Sequence, residues 1–474
     1  MKKITAACLV AGLLGATAAS AVEPPDQLRR EGRYMVDSKN RIVLLHGVNA
    51  VWKMAPYAPP DTPEGFTAAD AAWLKRNGFN SVRVGTIFAG VMPQKGAIDR
   101  EYLRKVDRVV QLLAAQDIYV MLDFHQDLYA EKFGGEGFPD WAVHDDGLPN
   151  FPDLGFPANY FLPAVSHTFD NLWKNVDNLW DDYRHAWKAV ARKWKDQDRL
   201  MGYDLINEPW PGIDYALCAN PFGCPGQDYR ELQLFQSHVM KGIREVDPAN
   251  IVWFEPNVLL NSGAQTHLGR REPIGDPQIG LSWHKYCAPA ALIHAYGFEN
   301  IPGCNLLHQI VSNNAEAAIA RMQATTIISE FGASDDIADL EQVTRQADAN
   351  FTSWQYWHYK EWHDPTTESQ ESGGQGLFTD DGDLTTVKAE KLAMLSRTYP
   401  QATAGVPVEL SFDPETAEFH YRYVPRAADG PTEIFVPVSV HYPDGYAVEV
   451  TARAWCRNPA PASSSCATRR RRPR

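Results

Sequence analysis

Apolar and polar positions alternate in blocks along most of this chain. Eight short, nearly continuous apolar runs recur between positions 42 and 357, and helical patterns fall between many of them, as at 99–116 and 228–246. Short apolar strands that alternate with helices are typical of a parallel sheet covered by helices. The runs lie at residues 42–48, 79–84, 118–124, 201–206, 251–254, 279–283, 325–328 and 351–357.

Eight such strands predict an α/β fold, a (β/α)8 TIM barrel. An open doubly wound sheet is the alternative, but the first strand is not followed by the glycine-rich phosphate loop typical of that fold. We place the catalytic barrel at residues 30–403. A turn at Asp37–Asn40 between two strand-like runs predicts a small hairpin that leads into the first barrel strand.

Two segments depart from the block pattern. Residues 128–180 are rich in aromatic residues, glycine and proline and leave the third strand, and structureless loops of that length usually bind something. From residue 404 onward apolar and polar positions alternate singly, with proline and Asp-Gly turns, which predicts a C-terminal antiparallel β-sandwich-like module over 404–474. It is short for a full sandwich and ends in "RRRRPR", so we interpret it as truncated.

The N-terminus carries a targeting signal. Lys2 and Lys3 precede an apolar run and the sequence Ala19-Ser20-Ala21, which predicts a signal peptide at 1–21 and a secreted or periplasmic protein. Six cysteines remain after cleavage, and an even number in an exported protein indicates disulfides. Other pairings stay open, but joining nearest neighbours would give Cys218–Cys224, Cys287–Cys304 and Cys456–Cys466.

Composition narrows the class of partner. The chain has 474 residues, of which 44% are hydrophobic, as in a globular protein with a large core. Its formal net charge of −14 argues against binding to the phosphate backbone of nucleic acid.

Two of the apolar runs end in a glutamate. "DLINEPW" places Glu208 after the fourth strand, and "IISEFG" places Glu330 at the end of the seventh. The carboxyl ends of barrel strands meet at one mouth, so these two side chains should lie together rather than as unrelated surface glutamates. A protonated and an ionised carboxyl group at one mouth are what retaining glycoside hydrolysis requires.

Further polar residues follow other strands, namely Arg83, His125 and the pair His284 and Tyr286. Together with "NEP" and "EFG", this set resembles glycoside hydrolase family 5. The longer strings "HGVNAVWKMAPY", "DFHQDLYAEKFGGEGFPDWA" and "DLINEPWPG" are similar to the endoglycoceramidases of that family, and the similarity extends over about residues 30–400.

The resemblance implies a role for each matching residue. Glu208 would be the acid/base, Glu330 the nucleophile, and Asn207 would bind the sugar 2-hydroxyl. Tyr286 would donate a hydrogen bond to Glu330, and Arg83 would lower the pKa of Glu330 and keep it ionised. The other substrate-binding residues that the resemblance implies are Lys53, His125, Asp127, Trp173, His284 and Trp357, with Trp354 as an alternative to Trp357.

The implied function is cleavage of the β-glycosidic bond between glycan and ceramide in glycosphingolipids by a secreted retaining enzyme. This chemistry requires no metal and no cofactor. The substrate would be presented at a membrane or micelle surface, which allows peripheral membrane contact, and no obligate protein partner is implied. The alternatives are a β-glucosidase acting on glucosylceramide or a steryl glucoside, a general β-glucanase, and a non-catalytic carbohydrate- or lipid-binding protein.

Overall fold

Eight parallel strands form a closed barrel in this computed structural model, which describes residues 26–287, 304–366 and 374–450. The expected (β/α)8 fold is therefore confirmed. Three short strands precede the barrel: β1 (Arg29–Glu31), β2 (Tyr34–Val36) and β3 (Ile42–Val43). The barrel strands are β4 (His46–Ala50), β5 (Ser81–Gly85), β6 (Tyr119–Asp123), β7 (Leu200–Asp204), β8 (Val252–Phe254), β9 (Ile279–Lys285), β10 (Thr325–Phe331) and β11 (Ser353–Tyr356).

Helices cover the outside of the barrel. The helix Arg100–Ala114 begins after Asp99, whose side chain accepts hydrogen bonds from the backbone of Glu101 and Tyr102. The helix expected over 228–246 is a π-helical turn, Asp228–Leu232, continued by the α-helix Gln233–Arg244. The other longer helices are Ala68–Arg76, Pro163–Trp173, Leu179–Trp194, Cys304–Met322 and Ile337–Asn350, and the short ones are Phe88–Val91, Tyr215–Cys218, Pro225–Gln227, Ala389–Leu395 and Val438–His441.

The N-terminal hairpin closes one end of the barrel. β2 and β3 pair antiparallel around the predicted turn, in which Asn40 has a φ of 62°. Leu28, Met35 and Val43 pack against the buried side chains at the starts of the barrel strands, Met201 among them. The opposite end, where the strands finish, is thereby left for the functional site.

The segment 128–180 is not structureless, as the sequence had suggested. It contains the helix Pro163–Trp173 and the 3-10 turns Glu131–Phe133, Asp140–Ala142 and Ala158–Phe161. Phe169 and Leu172 of that helix are fully buried. Much of the segment is therefore packed structure rather than open loop.

The C-terminal antiparallel module is confirmed as well. Its strands are β12 (Tyr399–Thr403), β13 (Gly405–Phe412), β14 (Phe419–Pro425) and β15 (Glu433–Phe435). β13 pairs with β14, whereas β12 lies between β3 and β15, so one sheet of order β1-β2-β3-β12-β15 contains strands from both ends of the chain. Residues 432–440 belong to the alternating pattern that predicted strands. They do not form one strand, because Val438–His441 forms a helical turn.

Two of the predicted disulfides are present, Cys218–Cys224 and Cys287–Cys304. The third pair, Cys456 and Cys466, and the predicted signal peptide lie outside the described residues. None of the helices in the described ranges combines the length and apolarity that crossing a membrane requires.

Candidate active site

Arg83 on β5 organises the open end of the barrel. Its side chain is wholly buried, and its guanidinium group lies 2.6 Å from Glu330 and 2.9 Å from Asn207. A buried charge is tolerated only when it is paired, and this arginine has four carboxylate partners. They are Asp123 at 2.9 Å, Asp204 at 2.9 Å, Glu255 at 3.0 Å and Glu330.

Glu330 near the end of β10 is fixed by donors to both oxygens. Arg83 binds Oε1, and the Tyr286 hydroxyl donates to Oε2 over 2.7 Å. Burial raises the pKa of Glu330 above its ordinary value, and His284 and Arg83 lower it by less. Arg83 therefore shifts this pKa in the expected direction, but the loss of hydration outweighs the attraction of the cation.

Glu208 lies in the turn after β7 and is the more exposed of the two glutamates, with 13% of its side chain accessible against 5% for Glu330. Its φ is +40°, in the left-handed region that a non-glycine residue adopts at an energetic cost. Asn261 donates a hydrogen bond of 2.8 Å to its Oε1. The backbone amide of Glu208 donates to Glu255 Oε2 over 2.7 Å.

His284 on β9 lies between the two glutamates. Its Nδ1 is 2.8 Å from Glu208 Oε1 and 3.3 Å from Glu330 Oε2, and these ligand-type atoms all lie within 4.8 Å of one another. Its Nε2 is 3.2 Å from Glu255. Burial lowers the pKa of His284, but Glu330 and Glu255 raise it more, so that the net pKa is well above the ordinary value.

A second polar group lines the same end of the barrel beside β6 and β11. The Lys53 ammonium lies 2.6 Å from Asp127, 3.0 Å from Asp364 and 4.7 Å from the centre of the Trp357 ring. His125 stacks on Trp357 at 5.1 Å. Burial lowers the pKa of His125, but Asp123 and Asp127 together raise it more, to about 10.

The structure brings together most of the residues predicted for the site. Trp173, which is 3% exposed, packs on Phe169 and Phe235, and its indole donates to the Trp210 carbonyl. Its role in binding substrate stays a prediction. The predicted residues that do meet around the two glutamates or in the second polar group are Lys53, Arg83, His125, Asp127, Asn207, Glu208, His284, Tyr286, Glu330 and Trp357.

The structure also distinguishes between the two candidate tryptophans. Trp357 contacts Lys53 and His125, whereas Trp354 stacks on His46 at 4.3 Å within the hydrophobic core. Trp357 therefore lies with the other predicted site residues, and Trp354 does not.

Several residues of the site were missed in the sequence. Glu255 follows β8 in "IVWFEP", an apolar run that ends in glutamate and a proline, the same signal that identified Glu208. Asp123 and Asp204 are the last residues of β6 and β7. Glu136 had no such signal, since it lies in the glycine-rich stretch "GGEG".

Glu136 is fully buried, and neither of its carboxyl oxygens has a hydrogen-bond partner among the described residues. Its backbone pairs with that of Asp127 in both directions at 3.0 Å. A Cβ atom at Gly135 would lie 1.8 Å from the Asp127 carbonyl oxygen, so glycine is required at that position. Burial raises the pKa of Glu136 well above its ordinary value.

Three groups in the described part of the chain offer metal-ligand atoms within 4.8 Å of one another. In each group, at least one of those atoms already has a strong partner: Cys287 is disulfide-bonded to Cys304, Asp127 binds Lys53, and Glu208 binds Asn261. The groups are Cys287, Cys304 and Asp339; His125, Asp127 and Glu136; and Glu208, His284 and Glu330.

Comparison with known proteins gives relatives along the whole barrel. An endoglycoceramidase I from Rhodococcus hoagii is 37% identical over 432 residues, which cover 90% of this chain and 83% of the relative. An endoglycoceramidase from Hydra vulgaris is 29% identical, covering 89% and 82%. The structure of endo-glycoceramidase II from Rhodococcus sp. in complex with ganglioside GM3 has a TM-score of 0.71 and 26% identity, covering 86% and 91%.

Family models match both parts of the chain. Residues 36–362 match cellulase, glycosyl hydrolase family 5, and residues 397–468 match the glycoside hydrolase family 5 C-terminal domain. The first match covers more than half of the chain and includes both glutamates at the open end of the barrel. The chain therefore belongs to glycoside hydrolase family 5 and is a glycoside hydrolase.

Proposed function

We propose that this protein is an exported, retaining glycoside hydrolase that cleaves the bond between glycan and ceramide in glycosphingolipids. The observation that carries the mechanism is the spacing of Glu208 and Glu330, whose nearest oxygens lie within 4.8 Å of each other around His284. Retaining enzymes have carboxyl groups about 5–5.5 Å apart, whereas inverting enzymes need about 6.5–9.5 Å to admit a water. The short separation supports double displacement.

In the first step an ionised Glu330 oxygen attacks the anomeric carbon. The bond from that carbon to the leaving oxygen breaks, and Glu208 gives its proton to that oxygen. Arg83 and Tyr286 both donate to Glu330, which favours its ionised form despite burial.

In the second step Glu208 takes a proton from a water molecule whose oxygen attacks the same carbon and releases Glu330. Forming the glycosyl ester removes one negative charge from the site. Glu208, which gave up its proton in the first step, no longer has an anion beside it when it acts as the base. That change suits the exchange of acid for base between the two steps.

Binding of the sugar falls to polar residues beside the two glutamates. The Asn207 side chain is oriented by accepting from Arg83 and by donating to the Gln126 carbonyl over 3.0 Å. Lys53 and Asp127 supply a charged pair next to the Trp357 ring. Fixed polar groups beside an aromatic face suit a sugar, which has hydroxyl edges and an apolar ring face.

The preference for a lipid is inferred from the loops that follow β6 and β7. Phe161 packs on Trp210, two residues after Glu208, and is 50% exposed. Exposed apolar clusters at the mouth of a site indicate contact with an apolar partner. The most exposed members in these loops are Phe151, Leu154, Phe161, Ile213, Leu217 and Phe222, at 50–74%. The names of the similar proteins, and the ganglioside complex of one of them, support the same substrate class.

Replacing each glutamate tests the mechanism. We expect Glu330→Gln to abolish turnover, with azide restoring it and giving a product of inverted configuration. We expect Glu208→Gln to accumulate a glycosyl-enzyme, visible by intact mass, when the leaving group needs no proton. Wild-type turnover by Glu330→Gln, or natural-substrate turnover by Glu208→Gln without an adduct, would show that the roles are misassigned.

A pair of substrates tests the lipid. We expect a glycosphingolipid in detergent micelles to be cleaved at least about a hundredfold more efficiently than the same glycan on a short alkyl aglycone, with intact oligosaccharide and ceramide as products. Such a ratio needs about 2.7 kcal/mol, which burial of about four methylene groups supplies. Equal rates on short-chain glycosides or cello-oligosaccharides would favour a general β-glucanase. Activity limited to the release of glucose from glucosylceramide would favour a β-glucosidase.

Export is proposed from the signal sequence and from the two disulfides, which are typical of oxidising compartments. N-terminal sequencing of the protein from the medium or periplasm should begin at Val22. A mature protein that begins at Met1 in the cytoplasm would contradict this part of the proposal.

A further inference from the structure

Glu255 lies immediately after β8 and is 2% exposed. Its Oε2 accepts the backbone amide of Glu208 at 2.7 Å. Its Oε1 lies 3.2 Å from Nε2 of His284 and 3.0 Å from the Arg83 guanidinium. Glu255 therefore contacts the backbone of Glu208 and the side chain of His284, which lies between Glu208 and Glu330.

The hydrogen bond from the Glu208 amide to Glu255 stabilises a strained position in the backbone. Glu208 has a φ of +40° and precedes Pro209, so this turn is held by its surroundings rather than by local preference. A buried amide without a partner destabilises the folded protein. A carboxylate that accepts this amide fixes the direction in which the Glu208 side chain leaves the backbone.

The Glu255 carboxylate also lies beside His284, as an ionic neighbour of Nε2 that forms no hydrogen bond with it. A carboxylate beside Nε2 favours a protonated ring, and Nδ1 then carries a hydrogen that faces Glu208 Oε1 at 2.8 Å. Without Glu255, a neutral ring could place its single hydrogen on either nitrogen. Glu255 thus acts together with Glu330 to keep on Nδ1 the hydrogen that faces Glu208.

Serving as a counterion to Arg83 does not account for these contacts. Asp123, Asp204 and Glu330 already surround that guanidinium. Asp204 makes its side-chain hydrogen bonds to Arg83 and to the Ser282 hydroxyl and is directed at neither Glu208 nor His284. Asp204 and Glu255 both contact Arg83, but only Glu255 also contacts Glu208 and His284.

We propose that Glu255 is a positioning residue for the proton-transfer step, holding the Glu208 backbone and the Nδ1 hydrogen of His284 in the geometry that aims the Glu208 proton at the leaving oxygen. This inference rests on the proposed role of Glu208 as acid/base. It concerns protonation of the leaving group and leaves the attack by Glu330 unchanged.

The test compares two substrates that share one glycan, a 2,4-dinitrophenyl glycoside, whose leaving group needs no proton, and an alkyl glycoside, whose leaving group does. We expect Glu255→Gln to lower kcat/KM at least about thirtyfold on the alkyl glycoside and less than about threefold on the aryl glycoside. Asp204→Asn is the matched control, since it removes a charge from Arg83 without touching Glu208 or His284, and its losses should be equal on both substrates.

Equal losses for Glu255→Gln on both substrates, or no loss on either, would overturn the inference. Glu208→Gln serves as the reference, because it must itself discriminate strongly between the two leaving groups. If Glu208→Gln does not discriminate, the proposed function fails, and not only the role of Glu255. Glu255→Asp keeps the charge but withdraws it by one methylene group, and it should show the same discrimination if Glu255→Gln does not fold.

Discussion

At the scale of single residues, the site depends on one cation among four buried carboxylates. Arg83 contacts Asp123, Asp204, Glu255 and Glu330 at 2.6–3.0 Å. Five donors in a rigid planar group suit this arrangement, and a lysine has neither the number nor the fork geometry. The pKa of Glu330 therefore depends on which donors it keeps.

Tyr286 offers a direct test of how the nucleophile is kept ionised. Its hydroxyl donates to Glu330 Oε2, and hydrogen bonding to the ionised form lowers a carboxyl pKa. Because burial already raises the pKa of Glu330, the acid limb of kcat/KM should lie above the ordinary glutamate value. We expect Tyr286→Phe to move that limb to still higher pH and to lower the plateau about tenfold or more, the loss of one charge-assisted hydrogen bond.

A pH–rate profile on an aryl glycoside measures this limb without dependence on protonation of the leaving group. Ser334→Ala, beyond the end of β10, serves as the control and should leave the limb in place. An unchanged limb in Tyr286→Phe would mean that the hydroxyl does not stabilise the ionised Glu330.

Glu136 should affect stability rather than chemistry. Its pKa is raised by burial, so the folded protein keeps a proton that the unfolded chain loses above about pH 4.3. Stability therefore falls as the pH rises from that value toward the folded pKa. The variant Glu136→Gln has no such proton to lose. We therefore expect its Tm minus that of wild type to increase by about 2 °C or more from pH 5 to pH 8.

Calorimetry at several pH values gives this difference, with the exposed Glu272→Gln as the control that should show none. A Tm difference between Glu136→Gln and wild type that stays constant with pH would indicate that Glu136 is ionised in the folded protein.

At the scale of elements, the barrel strands could be predicted because parallel strands are buried on both faces and read as continuous apolar runs. Glu208 and Glu330 followed from that pattern, and Glu255 could have followed from it too, since "IVWFEP" carries the same signal. Glu136 could not, because its position depends on backbone pairing with Asp127 and on a neighbouring glycine that no periodicity records. The role of Trp173 stays a prediction, since its helix is buried on almost every face and its burial alone does not separate a core residue from a site residue.

The loops after β6 and β7 carry the proposed preference for lipid. Phe151, Leu217 and Phe222 are 72–74% exposed. We expect their joint replacement by serine to lower cleavage of glycosphingolipid in vesicles at least about tenfold, with little change on a short alkyl glycoside, because these side chains contribute apolar contact and not chemistry.

The matched control is Val448→Ser with Val450→Ser, which removes apolar groups of 64% and 74% exposure from the C-terminal module. Equal losses on both substrates for the loop variant would point to misfolding. Equal losses of vesicle activity for the two variants would point to a general surface effect.

At the scale of the whole molecule, a buried ion pair fixes the segment that leads into the C-terminal module. Arg397 lies 2.5 Å from Asp348 on the helix Ile337–Asn350, and both are almost fully buried. Removing one partner of such a pair leaves a buried charge uncompensated and costs about 3–5 kcal/mol. We expect Arg397→Ala to lower the free energy of unfolding by that amount, measured by denaturant titration.

Arg345→Ala breaks an exposed pair with Glu341 on the same helix and should cost less than about 1 kcal/mol. Similar decreases in the free energy of unfolding for the two variants would mean that the Arg397 pair stabilises the protein no more than a surface pair does.

The sheet shared by the two ends of the chain has a consequence for biosynthesis. Val43 pairs with Ala402, so the hairpin that closes the barrel lacks its neighbouring strand until residue 402 has been made. Contacts between residues so distant in sequence form slowly, because a long loop must close first. A nascent chain therefore remains incomplete at the base of the barrel until that strand has emerged from the ribosome, and a chain in that state can still be threaded through a translocation channel.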